Sequence, residues 1–92
     1  MYWRHGGDEV VARHSNNIII RCASGVALCI SYETVVAWYA DGVFHRSWGG
    51  YSQTTQRHLS RFCNYLGIPN PRKKEWEEMD VEGLPVKLSK RR

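Results

Sequence analysis

Apolar and polar positions change rhythm along the chain. They alternate with a period of about two before Ser47 and follow a helical period after Gly50. The helical part is the more legible. In residues 51–69, YSQTTQRHLSRFCNYLGIP, Thr55, Leu59, Phe62, Cys63 and Leu66 form one apolar stripe. Gln53, Gln56, Arg57, Ser60, Arg61 and Asn64 fall on the opposite side. Ser52, or alternatively Thr54, offers a hydroxyl to the free N–H groups at the helix start. Gly67 followed by Ile68 and Pro69 predicts a left-handed Schellman close. Such a helix needs an apolar surface to cover its stripe, and the preceding residues supply a sheet.

Residues 17–47 read as that sheet. Ile18–Ile20 and Val26–Tyr32 are β-prone runs on either side of Ala23-Ser24-Gly25. A loop of those three residues, with Gly25 left-handed, pairs Cys22 with Val26, Ile20 with Leu28 and Ile18 with Ile30. This register gathers the larger apolar residues on one face and sends Arg21, Ala27, Cys29 and Ser31 to the other. Asp41-Gly42 predicts a hairpin joining Thr34–Ala40 to Val43–Ser47, with Tyr39 opposite Phe44 and Trp38 opposite His45. Glu33-Thr34 suits either a tight turn or a bend within one long strand. The helix is expected across Ile18, Ile20, Leu28, Ile30 and Phe44. Val36, Trp38 and Val43 then form a second apolar face, covered by a terminal segment or left for a partner.

The flanks are less regular. Residues 1–16 read as an N-terminal arm or short helix, although the β-branched Val10 and Val11 equally suit a strand. After residues 17–69, residues 70–92 read as a short helix capped by Asn70-Pro71 and held by Trp76, then a basic tail. Leu84, Val86 and Leu88 alternate as an edge strand would, and Ser89–Arg92 reads as a mobile basic end. The expected fold is α+β in two layers: a three- to four-stranded antiparallel sheet with one main amphipathic helix.

Composition narrows the function. Ninety-two residues suffice for one domain and leave no room for a substrate cleft between domains. The net charge of +4 is moderate for a nucleic-acid binder, and it divides evenly. Residues 1–69 hold six arginines against four acids, and residues 70–92 hold seven basic residues against five acids. All the lysines lie in the second part. Arginine in the body suits planar recognition of phosphate, or simply reflects codon usage. Three cysteines without paired spacing argue for a reducing, cytoplasmic setting, and no apolar run is long enough for a membrane.

No catalytic or metal pattern emerges. CxxC, HxxxH and CxxxH are all absent, so Cys22, Cys29 and Cys63 carry no zinc spacing. Cys63 belongs to the core stripe, and there is no GxSxG elbow for a serine nucleophile. No cofactor and no enzyme activity are expected. The nucleic-acid reading is better supported. Arg57 and Arg61 stand one helical turn apart among Gln53, Gln56 and Asn64, residue types that grip phosphate and read base edges, and Arg46 widens the footprint. A solvated helix face is the plain alternative. The aromatic set (Trp3, Trp38, Trp48, Trp76, Tyr2, Tyr39, Tyr51 and Tyr65) exceeds what a small core hides, which favours a protein partner or a homodimer.

Ser31-Tyr32-x-Thr34-x-Val36-Ala37 followed by Tyr51-Ser52-x-Thr54-Thr55-x-x-His58 resembles a pattern in small proteins of unknown function from bacteriophages and related mobile elements. The resemblance covers the central part of the chain and implies that Tyr51, Ser52, Thr54, Thr55 and His58 act together. Either they lock the helix start, with His58 bonding back to the sheet, or they form an anion site. By analogy it also implies a host-defence inhibitor, anti-CRISPR-like, that blocks a host protein. The leading expectation is a small non-enzymatic module binding nucleic acid or a nucleoprotein.

Overall fold

Four short turns fold residues 9–46 into a meander. The computed structural model describes residues 2–4, 9–84 and 89–91. In chain order its elements are β1 (Tyr2–Arg4), β2 (Glu9–His14), β3 (Asn17–Arg21), β4 (Ala27–Ser31), β5 (Thr34–Ala40), β6 (Val43–Arg46), α1 (Gln53–Leu66), α2 (Lys73–Glu78) and β7 (Ser89–Arg91). Strands β2 to β6 form a five-stranded antiparallel sheet in sequence order, while β1 pairs with β7 in a separate two-stranded sheet. The class is α+β, with five strands in the main sheet where three or four were expected.

The added strand is β2, whose residues were expected to form a short helix or arm. His14 pairs with Asn17 and Val10 with Ile20, and a bulge between Val10 and Ala12 takes up Val11. About two turns of isolated helix are marginal in water. Pairing β-branched valines with an apolar strand satisfies the same backbone groups and buries side chains as well. The tail is corrected too, because Ser89–Arg91 pairs with Tyr2–Arg4 instead of standing as a free end. The alternation at Val86 and Leu88 lies outside the described residues.

The expected register holds at both predicted hairpins. Ile20 faces Leu28 and Ile18 faces Ile30, while Cys22 N–H donates to the Val26 carbonyl at 2.7 Å around a left-handed Gly25 at φ 95°. Tyr39 faces Phe44 and Trp38 faces His45 across Asp41-Gly42. The open junction resolves as a tight turn centred one residue earlier than Glu33-Thr34, with Tyr32 at φ 50°, Glu33 at φ 70° and Thr34 already paired with Ser31 in β5.

The helix lies on the other face from Ile18, Ile20, Leu28 and Ile30, and of the residues expected beneath it only Phe44 packs on its side, 6.2 Å from the Phe62 ring. Leu59 and Phe62 of α1 pack with Ile19, Ala27, Cys29, Val36 and Ala37, joined by Trp76 of α2. Ile20, Leu28, Ile30, Val35 and Trp38 form the opposite cluster, against which Leu84 packs. Both faces are apolar. Alanine and cysteine at positions 27, 29 and 37 leave room for Phe62 on the face that α1 covers. A bulge between Cys29 and Ile30 also places Val36 beside Ala37 on the helix side and separates it from Trp38.

Both ends of α1 follow the sequence. Ser52 Oγ accepts from Thr55 N–H at 3.0 Å. At the far end Gly67 sits at φ 75°, its N–H donating to Asn64 O and that of Ile68 to Cys63 O, the two bonds of a Schellman close. Helix α2 starts at Lys73 rather than at Pro71, because the Glu75 carboxylate reaches back to the Arg72 N–H at 3.1 Å. Trp76 is fully buried and donates from Nε1 to the Gly50 carbonyl at 2.8 Å, which ties α2 to the joint before α1.

Candidate functional site

Both halves of the SYxTxVA and YSxTTxxH pattern meet in space. The Tyr32-Glu33 turn at the end of β4 comes to lie beside the start of α1. Ser31 Oγ is 2.7 Å from His58 Nδ1, and the Tyr32 ring lies 5.8 Å from the imidazole. Beside them opens a pocket of about 170 Å³ lined by Ser31, Tyr32, Thr34, Val36, Trp48, Ser52 and Thr55. One wall depends on a glycine. A Cβ on Gly50 would sit 2.5 Å from the Trp48 indole, so only glycine lets that ring lie against the backbone.

Beneath the pocket runs a buried polar set. Asn17 donates from Nδ2 to the Ile30 carbonyl at 3.0 Å and receives Arg61 Nη1 on Oδ1 at 3.5 Å. Cys29 Sγ lies 3.7 Å from Asn17 Nδ2 and 3.8 Å from the His58 carbonyl. Burial lowers the His58 pKa from its ordinary 6.5, and the charges of Arg61 and Arg57 lower it further. Desolvation pushes Cys29 up to about 12 and Cys63 up to about 11. Both thiols are therefore protonated and un-nucleophilic near neutral pH. Among the described residues no group of three or more His, Cys, Asp or Glu side chains is placed to hold a metal.

The candidate residues separate into two groups. Gln53, Arg57, Arg61 and Asn64 are exposed on the outer face of α1. The helix carries no acidic residue, and Arg57 has no hydrogen bond or ion pair among the described residues. Arg46 does not belong with them. It is 6% exposed, its Nε donates to Trp48 O at 2.8 Å, and its Nη1 donates to Trp76 O at 2.9 Å and Met79 O at 3.2 Å. Its guanidinium also lies 4.9 Å from the centre of the Trp76 ring. Arg46 thus ties α2 to β6 and offers nothing to a partner. Gln56 is likewise drawn inward, donating from Nε2 to Pro71 O at 2.9 Å.

Three of the motif residues, Ser52, Thr55 and His58, are joined to the helix start or to the sheet by hydrogen bonds. Ser52 Oγ donates to Thr55 Oγ1 at 2.9 Å, while Thr54 and Tyr51 are half-buried, with Lys73 Nζ 5.4 Å from the Tyr51 ring centre. His58 bonds back to the sheet, and Thr55 and His58 are both buried. Of the aromatic set that composition singled out, Tyr65 is exposed, while Tyr39 and Tyr51 are half-buried. Trp38 and Trp76 are buried, Trp48 is half-buried, and Tyr32 and Tyr65 are the large exposed aromatics.

Sequence reasoning passed over Tyr32 as a site. Its signal was the turn itself, since a bulky residue at positive φ is an outlier that costs about 1–3 kcal/mol. Asn-Gly would meet the same turn geometry without strain. Here Tyr-Glu occupies it, and Tyr32 remains 56% exposed at the pocket mouth.

Fold and site together define a small α+β domain: an antiparallel meander under an arginine-bearing helix, with a pocket where the two meet. The chain belongs to a family of unknown function, DUF8033, whose model matches residues 6–78. That span takes in β2 through α2 and with them the whole pocket. No curated protein and no solved structure matches the chain.

Proposed function

We propose that this protein is a non-catalytic binding module whose partner is nucleic acid, held by the outer face of α1. The observation that carries the reading is the charge pattern of that helix. Arg57 and Arg61 project one turn apart with Gln53 and Asn64 beside them, and the helix has no acidic residue to neutralise them. A helix face selected only for solubility gains from oppositely charged neighbours at this spacing, and here they are missing. Two exposed guanidinium groups, Arg57 without a protein partner among the described residues and Arg61 with a single 3.5 Å contact to Asn17, stand near amide side chains and suit phosphate contact flanked by polar contacts to bases. Protonated thiols and a neutral, bonded His58 leave the site without an evident nucleophile, which supports binding over turnover.

A gel-shift assay at two salt concentrations tests the proposal. Affinity should fall steeply with salt, and Arg57→Ala with Arg61→Ala should flatten the slope of log affinity against log salt by about 1.4 units on single strands or about 1.8 on duplex. No shift at low salt would remove the nucleic-acid reading. Nuclease-resistant recovery of one host protein in a pull-down would favour instead the inhibitor role that the mobile-element resemblance implies.

A further inference from the structure

The pocket between the Tyr32-Glu33 turn and the start of α1 has no part in the phosphate grip described above, and its shape asks for a ligand of its own. We infer that it receives one unstacked pyrimidine base of a single-stranded nucleic acid, with Tyr32 and Trp48 against the ring and Arg57 and Arg61 on the adjoining backbone. The inference rests on the nucleic-acid reading and names the form of the ligand.

Size is the first argument. A cavity of about 170 Å³ is close to the roughly 150 Å³ that holds a benzene ring, so a six-membered heterocycle fills it and a fused purine would extend beyond its mouth. The walls are the second. Tyr32 and Trp48 supply ring surface, and the Gly50 backbone keeps the indole in place. Aromatic rings of this kind bind splayed-out bases with little regard to sequence. The hydroxyls are the third. Thr34 is exposed at the rim with no protein partner among the described residues, and Thr55 Oγ1 accepts from Ser52 while its own proton stays available. These are the donors and acceptors that a pyrimidine's carbonyl and ring N–H require.

Position and charge complete the case. The imidazole of His58 lies 5.8 Å from the Tyr32 ring, and the charges of Arg61 and Arg57 both act on His58, so the two arginines are within electrostatic reach of a strand whose base enters beside Tyr32. Glu33 is the acidic residue next to Tyr32 in the turn, and it leaves the rim with a net positive charge against the two arginines. Duplex offers no free base to the pocket, which separates this inference from simple phosphate binding.

The test measures fluorescence anisotropy with labelled twelve-nucleotide strands of thymidine, uridine and adenosine, an abasic strand of equal charge, and a duplex. Thymidine or uridine strands should bind about tenfold tighter than the abasic strand, the adenosine strand and the duplex. Comparing the first two tells DNA from RNA. Tyr32→Asn should remove most of that preference without lowering the melting temperature, because asparagine tolerates the left-handed backbone. Thr34→Phe, which fills the pocket from its exposed rim, should do the same. Equal affinity for the thymidine, uridine and abasic strands, or full preference retained in both variants, overturns the pocket inference and leaves the arginine surface standing. No binding to any strand or duplex at low salt overturns both.

Discussion

Replacing Gly67 with alanine isolates one backbone conformation. At φ 75° and ψ 31° the residue closes α1 through the hydrogen bonds to Asn64 and Cys63. A Cβ built there meets no atom within 4 Å, so the substitution introduces no clash and leaves no cavity. The penalty is therefore conformational. A left-handed backbone costs an L-residue roughly 1–2 kcal/mol. Alanine also has less freedom than glycine in the unfolded chain, which offsets about 0.4–1 kcal/mol. A net loss of about 1 kcal/mol is expected, equivalent to a melting temperature about 4–8 °C lower for a domain of this size. Thermal unfolding followed by circular dichroism reads it directly, and Gly67→Asn should show a smaller drop, because asparagine is the next most common residue at this cap. An unchanged midpoint for Gly67→Ala would refute the argument, since nothing else near the site compensates.

Two further outcomes separate structural from surface roles. Arg46→Met should cost about 3 kcal/mol or more in denaturant unfolding by leaving the carbonyls of Trp48, Trp76 and Met79 without their charged donor. The salt slope of binding should not move, and a variant as stable as wild type would mean that α2 does not depend on Arg46. His58, whose pKa is lowered in the folded protein, makes stability depend on pH. The unfolded chain binds the proton more readily, so full stability is present above the ordinary 6.5 and is lost as pH falls through the lowered native value. Unfolding midpoints at neutral pH and at about pH 5 should therefore fall further for wild type than for His58→Gln, and equal falls would contradict the assignment.

Local chemistry alone determined several elements. The cap at Ser52, the glycine close of α1, the hairpin at Asp41-Gly42 and the loop ending at Gly25 each depend on residues within one turn of each other. Short-range hydrogen bonds and backbone sterics fix them wherever the chain goes afterwards. The resemblance likewise grouped Ser52, Thr55 and His58 without any knowledge of the sheet.

Tertiary structure decided what depended on distant partners. Residues 9–14 had two acceptable local conformations, and pairing with β3 selected the strand. Which face of the sheet receives α1 could not follow from alternation when both faces are apolar. Small side chains at Ala27, Cys29 and Ala37 admitted Phe62, and a bulge no pattern announces turned Val36 toward the helix. Arg46 looked like surface charge until Trp76 and Met79, distant in the chain, placed their carbonyls around it. The pocket beside Tyr32 joins residues from β4, β5 and the start of α1, and its strained turn exists because antiparallel pairing of β4 with β5 requires one there.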